Sequence, residues 1–400
     1  MRTATIRVLL PVLALVAAAS GGATTAAEGD TTTSPVAEAT DTTAPTATAE
    51  APDTTTATDA TATAGEAPSL EFTGPNGETP TPSSELELTD EEIRQVTEGG
   101  YTAALVWHEN SAFIQAVEEG VREKFDELGI EVIASTSAEF DAAQQAANIE
   151  TVLANDPDII VTIAVDPTTA AQAFRPAVEQ GVEIVVLTTP PAGYTAGEEI
   201  VGIVTGELTA YGKAAAEMLG EALGGAGEVG WIFHDADFWF TNQRDQAFKD
   251  WLAYLYPNME VVDEAGFSDP ARTEDIANAM ITRNPELTGI YVAWATAADG
   301  VLAALRAAGR DDVRIVTNDL DQNLALDMVQ GGNVVGVVAN PAVDTGRSLG
   351  IMAAYGVLGK EAPEMAVAAP VATTSENLAE GWQAEFAEDP PQELIDAAGG

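Results

Sequence analysis

Arg244 lies just inside a predicted helix that follows the loop His234, Asp235, Ala236, Asp237, Phe238, Trp239, Phe240. A planar guanidinium at that point can bind two oxygens of one ligand at once. The competing reading is a surface ion pair with one of the chain's many carboxylates. Asp319 stands at the end of a predicted strand, where a carboxylate can accept hydrogen bonds from hydroxyl groups. Trp107, Phe113, Phe238, Trp239 and Trp294 all fall at or near carboxyl ends of predicted strands. Aromatic faces pack against the C–H patches of a sugar or polyol, while polar neighbours satisfy its hydroxyls. Each ring could instead belong to the core, and for Trp107 and Phe113 core is a serious rival. Phe238, Trp239 and Phe240, beside acidic loop residues, read as binding.

Other chemistries find less support. His108 and His234 are the only histidines and do not share a helix face, so they read as hydroxyl contacts or solvated loop residues rather than zinc ligands. The run from Asp319 through Asp321 to Asn323 imitates the start of a calcium loop. It lacks the glycine at its sixth position (Leu324) and the closing glutamate (Gln330). The glycines around Gly225 precede a strand instead of opening a helix, so they do not cradle a phosphate. No Gly-x-Ser-x-Gly or P-loop pattern occurs, and with no cysteine there is no thiolate nucleophile. No catalytic residue, metal or cofactor is expected. The enzymatic alternative is a glycosidase with Asp237 and Asp319 as its two carboxylates.

The elements that must carry these residues alternate regularly. Tyr101 to Trp107 is a continuous apolar run, as in a strand covered on both faces. Phe113, Val117, Val121 and Phe125 recur at helical spacing up to Gly129, and Ile130 to Ile133 resumes a strand. Strand, helix, strand makes a right-handed parallel crossover, whose loop at the strand's carboxyl end is the ligand position of open α/β sheets. Predicted helices over 137–155, 170–180 and 208–223 alternate with strands over 159–165, 184–187 and 202–204. A second series runs from a strand at 228–233 to one at 334–339, and a long helix follows over 348–359. The expected fold class is α/β, two doubly wound parallel-sheet lobes with a cleft lined by the strand-end loops. Asp166, Thr188 and Thr189 end first-lobe strands and join the expected contacts.

The 400 residues suffice for two lobes, and an apolar fraction of 46% fits a soluble protein. The formal net charge of −48 argues against nucleic-acid phosphate as a partner, which needs a basic face. The acidity is spread along the chain, and lysine is confined to Lys124, Lys213, Lys249 and Lys360. A surface adapted to concentrated salt and an ordinary acidic secreted surface both fit. Met1, Arg2 and Arg7 precede the apolar run Val8–Ala19, so residues 1–22 read as a signal peptide and the protein as exported. Residues 23–88, rich in Thr, Ala, Pro, Asp and Glu, read as a disordered acidic linker. A short leader helix over 86–98 has a capped start at Thr89.

From about Gly100 to Gly381 the chain resembles the type I periplasmic sugar-binding proteins of ABC transporters, the ribose- and galactose-binding class. The marks occur in order. They are the loop His108–Phe113; Asp166-Pro167-Thr168-Thr169; Gly202-Ile203-Val204-Thr205-Gly206; and Thr241 to Phe248 around Arg244. Trp294 to Gly300, Thr317-Asn318-Asp319 and Gly336 to Asn340 complete them. The resemblance implies two lobes joined by a three-segment hinge, closing on one sugar. It assigns 98–205 plus 341–366 to the first lobe and 206–340 plus 367–398 to the second. By position, Phe113 and Ile114 would flank the sugar ring, and Ser111 would be a polar contact beside them. Arg244 would be the sugar-binding arginine, Asp319 the hydroxyl acceptor and Asn340 a hinge-side amide contact. Ribose binders carry Asp-Arg where this chain has Thr188-Thr189, and many relatives carry Trp-Asp where it has Trp294-Ala295. The partners implied are a sugar or polyol and a membrane permease, with the binding protein a monomer held at the periplasmic side or the outer face of the membrane or wall. The alternative role is a sensing module that presents its ligand to a signalling receptor.

Overall fold

The computed structural model describes residues 67–69 and 71–399. The signal-peptide reading of 1–22 and most of the linker therefore lie outside the described residues. The alternating pattern gives two wound sheets. The first series is β1 (Pro80–Pro82), α1 (Asp90–Gly99), β2 (Thr102–Trp107), α2 (Ala112–Leu128) and β3 (Glu131–Ser137). It continues with α3 (Ala142–Leu153), β4 (Ile159–Thr162), α4 (Pro167–Gln180), β5 (Glu183–Leu187) and β6 (Gly202–Gly206). The chain then crosses to α5 (Leu208–Ala222), β7 (Ala226–His234), α6 (Trp239–Leu255), β8 (Asn258–Phe267) and α7 (Thr273–Arg283). Next come β9 (Leu287–Val292), α8 (Ala295–Ala308), β10 (Arg314–Asn318), α9 (Gln322–Val329) and β11 (Val334–Ala339). It returns for α10 (Ala342–Leu358) and β12 (Met365–Ala368), and crosses a last time to β13 (Val371–Thr373), α11 (Leu378–Phe386) and α12 (Gln392–Ala397).

The first sheet has the order β1-β12-β6-β5-β4-β2-β3, parallel throughout. The second has the order β13-β11-β10-β9-β7-β8, parallel except for β13 at its edge. Both faces of each sheet are apolar because both are covered. In β2, Leu105 and Trp107 join one core cluster while Ala104 and Val106 join another, as the two-residue period of a strand requires. The three crossings, β6 to α5, β11 to α10 and β12 to β13, form the hinge. Two of them are knitted together where Glu207 N donates to Ala368 O at 3.0 Å. The expected two-lobed, doubly wound architecture is the one found.

The linker was expected to run unstructured to residue 88, and here the structure differs. Residues 80–82 form an edge strand paired in parallel with β12, and Leu86 is buried. Glu87 N donates to the Tyr355 hydroxyl at 3.0 Å, and that hydroxyl donates back to Glu87 O at 2.7 Å. Composition misses this because strand addition uses backbone groups, and two prolines are tolerated on an edge. The leader helix begins where its capping box does: Thr89 accepts from Glu92 N, and Glu92 accepts from Thr89 N. Predicted helix starts at 137 and 170 also move, to Ala142 and Pro167, because Asp141 and Asp166 are the N-caps.

Helices α2 and α10 cross at two glycines. A Cβ on Gly120 would meet Val343 O at 1.9 Å, and one on Gly346 would meet Val117 O at 2.0 Å. Backbone cannot yield as a side chain can. Gly346→Ala is therefore expected to cost about 1–3 kcal/mol, read as a lower urea midpoint at unchanged slope.

Candidate functional site

The carboxyl ends of the strands in the two sheets face one another across a narrow cavity. Its walls are His108, Glu109, Phe113, Phe140, Ile163 and Thr188 from the first lobe. The second lobe supplies His234, Phe238, Phe240, Thr241, Arg244, Trp294 and Asp319. About 420 Å³ of empty space lies within it, of which only about 40 Å³ admits the centre of a water molecule, so the lobes nearly touch. Rings meet across the gap. His108 stacks on Phe238 with centroids 5.7 Å apart, and Phe140 stacks on Trp294 at 6.1 Å.

Arg244, on the first turns of α6, is 1% exposed. Its Nη2 donates to Ala293 O and its guanidinium lies 5.0 Å from the Phe240 ring centroid. Its Nε and Nη1 have no hydrogen-bond partner, although Nε lies 3.7 Å from Asp245 Oδ1, an ion pair too long for a hydrogen bond. Burial alone would lower its pKa, but Tyr291, Asp319 and Asp245 more than offset this and raise it, so it stays charged. A buried frame holds it. Tyr291 donates to Asp245 at 2.6 Å, His234 N donates to Asp245 at 3.1 Å, and Asn318 donates to Ala293 O at 2.9 Å. The Asp319 Oδ1, Trp294 Nε1 and His108 Nδ1 atoms are likewise buried without partners. Buried polar groups are nearly always paired, so such a set converging on one cavity marks a place for a ligand's own donors and acceptors.

Backbone strain concentrates at the same walls. Among the described residues six non-glycines have positive φ, and three of them line the cavity: Phe140 (59°), Thr188 (57°) and Asp319 (63°). For a β-branched threonine that conformation is costly, and such strain collects where a side chain must be aimed. Thr188 and Asp319 occupy matching positions, one residue past the ends of β5 and β10.

The structure thus brings His108, Phe113, Thr188, Phe238, Arg244, Trp294 and Asp319 together, and gives the other expected contacts different work. Trp107 lies on the core side of β2, and its indole donates to Glu118 at 2.7 Å. Ser111 caps α2 by accepting from Ile114 N, and Asp166 caps α4 by accepting from Thr169 N. Ile114 is buried in the first-lobe core. Thr189 is buried behind Thr188, with their hydroxyls 3.4 Å apart and its carbonyl accepting from Ala164 N. Trp239 turns toward Phe72, with centroids 6.4 Å apart, leaving the next ring, Phe240, on the cavity. Asn340 is buried, and its backbone N–H donates to Glu385 at 3.4 Å. Glu109, Phe140, Ile163 and Thr241 were not singled out. Phe140 falls within the predicted helix 137–155; Asp141 as the N-cap places it instead in a strand-end loop.

Burial, with His234 nearby, lowers the His108 pKa to about 3; burial and Arg244 lower that of His234 to about 4. Glu109 is raised to about 7 by burial. The 3.7 Å approach of His108 Nε2 to Glu109 is therefore not an ion pair, since both groups avoid charge. An unfolded histidine gains its proton near 6.5 while the folded one stays neutral, so this stability is present above 6.5 and is lost as pH falls toward 3. Between pH 6.5 and 5 the native chain is expected to lose about 2 kcal/mol relative to His108→Gln, at roughly 1.4 kcal/mol per pH unit. Urea unfolding of both proteins at the two pH values checks it. Glu109 has the opposite sign: its contribution is present below about 4.5 and is lost as pH rises through 7.

The profile of the periplasmic binding protein domain matches residues 103–362. The chain belongs to the periplasmic binding protein family. This periplasmic binding protein is 24% identical over 274 residues to a D-apiose import binding protein of Actinobacillus succinogenes, covering 67% of this chain and 86% of that one. Among solved structures it is similar to a solute-binding protein of Agrobacterium vitis bound with α-D-tagatopyranose. That match has a TM-score of 0.66 and 21% identity, over 72% of this chain and 98% of the other. A 5-methylthioribose transporter binding protein of Thermotoga lettingae matches with a TM-score of 0.62 and 19% identity, over 75% and 93%. As a family member it is an extracytoplasmic solute-binding protein of the kind that serves ABC transporters, and not an enzyme.

Proposed function

We propose that this protein captures one monosaccharide or sugar-like polyol between its lobes and delivers it to the membrane permease of an ABC importer. The carrying observation is the set of unpaired atoms on Arg244, Asp319, Trp294 and His108 around one cavity walled by aromatic rings. Guanidinium and carboxylate groups pair with hydroxyls, and rings take the C–H faces, which is what a sugar offers. The relatives named for apiose import and found with tagatose or 5-methylthioribose support a ligand of this size. The residues proposed to touch it are His108, Phe113, Thr188, Phe238, Arg244, Trp294 and Asp319, with Glu109, Phe140 and Phe240 added.

Contacts from both lobes favour the closed state, so binding and closure are one equilibrium. The test is isothermal calorimetry of the full chain against aldopentoses, ketohexoses, deoxysugars and inositols, in low and high salt. At least one is expected to bind at micromolar Kd or tighter. A panel with no binder would remove the reading.

A further inference from the structure

We infer that the ligand carries an apolar group, such as a deoxy methyl or an alkylthio substituent, held by the first lobe. In this reading its hydroxyls face the second lobe. The inference rests on the sugar-binding reading above and narrows its substrate class.

The argument is the uneven distribution of free polar atoms. Of the unpaired buried atoms on cavity residues, Arg244 Nε, Arg244 Nη1, Trp294 Nε1 and Asp319 Oδ1 belong to the second lobe. The first lobe supplies only His108 Nδ1. The rest of its wall is Phe113, Phe140, Ile163, Thr188 and Glu109. The Thr188 hydroxyl is already within 3.4 Å of the Thr189 hydroxyl, and the Glu109 carboxyl sits at the rim of this wall, 3.7 Å from His108 Nε2, away from the face formed by the two phenyl rings and the isoleucine. A fully hydroxylated sugar seated here would bury hydroxyls against two phenyl rings and an isoleucine, leaving them unpaired. A methyl or thioether at that end meets the same wall without penalty and adds apolar contact. The strained φ of 59° at Phe140 shows that the ring is held against the gap at a conformational cost.

The experiment is calorimetry on matched pairs that differ only at the terminal group: L-rhamnose with L-mannose, L-fucose with L-galactose, and 5-methylthioribose with D-ribose. In at least one pair the deoxy or alkylthio member is expected to bind tenfold or more tightly than its hydroxylated parent. Phe140→Asn keeps a residue type that tolerates positive φ but replaces the ring with an amide. It is expected to shrink that preference to threefold or less, read as the ratio of the two Kd values within a pair. A parent that binds as tightly as its partner or more so, in every pair that binds, overturns this inference and leaves the sugar-binding reading standing. If no member of any pair binds while another sugar or polyol of the wider panel does, this inference alone falls; a wider panel with no binder removes both.

Discussion

Arg244→Ala is expected to weaken sugar binding by at least about 100-fold, which is about 2.7 kcal/mol. The side chain is anchored on one nitrogen by Ala293 O, and its Nε and Nη1 are left over. Each charge-assisted hydrogen bond it would give a ligand contributes about 1.5–3 kcal/mol, so losing two accounts for the figure. The same change leaves Asp245 and Asp319 buried without their cation. Breaking a buried pair in this way costs about 3–5 kcal/mol of stability. Arg244→Lys separates the two effects. It restores a positive charge, and with it part of the stability, but a point charge cannot hold Ala293 O and two ligand oxygens at once. Calorimetry and urea unfolding on both variants check this. An alanine variant that binds the wild-type ligand within threefold would show that the guanidinium is structural only.

Much of this site was legible before any coordinates. Alternating apolar runs and helical periods make parallel crossovers whose carboxyl ends share one side of each sheet, so the ends of β2, β5, β7, β9 and β10 collect on one cavity and carry His108, Thr188, Phe238, Trp294 and Asp319 with them. What sequence could not decide was which of two competing uses a residue serves. Ser111 and Asp166 are polar groups beside strand-end loops, yet each stands immediately before a helix, where a side-chain oxygen is first taken by the helix's free N–H groups. Trp107 and His108 are adjacent, and the two-residue period of a strand sends one ring to the core and leaves the other on the cavity. Trp239 and Phe240 diverge because consecutive positions at a helix start point in different directions. The ordered stretch before residue 88 escaped for another reason. Its attachment is by backbone pairing and a tyrosine hydroxyl, neither of which leaves an apolar pattern.

Glu385 shows how far from the sequence motifs a site residue can lie. It is fully buried on α11, and its Oε2 accepts from Leu320 N at 2.8 Å and Asn340 N at 3.4 Å. Those two N–H groups follow the ends of β10 and β11, so one carboxyl holds together the strand ends that present Asp319 to the cavity. Burial, reinforced by Asp319, raises its pKa well above the ordinary carboxyl range, which favours the protonated acid. An amide oxygen can accept the same two bonds. Glu385→Gln is therefore expected to change stability by less than about 1 kcal/mol and to keep ligand affinity within threefold. Glu385→Ala leaves two buried N–H groups unpaired beside a cavity, and is expected to cost about 3–5 kcal/mol and roughly tenfold in affinity. The sign of the pH effect is fixed by the raised value. The native glutamic acid contributes stability that is present below about 4.5 and is lost as pH rises through its folded pKa, whereas glutamine loses none. The Gln variant should thus gain on the native protein from pH 5 to pH 8 in urea unfolding. If Gln proves as damaging as Ala at pH 7, the buried group is a charged carboxylate, and the hinge-side network around Asp319 must be rebuilt on that basis.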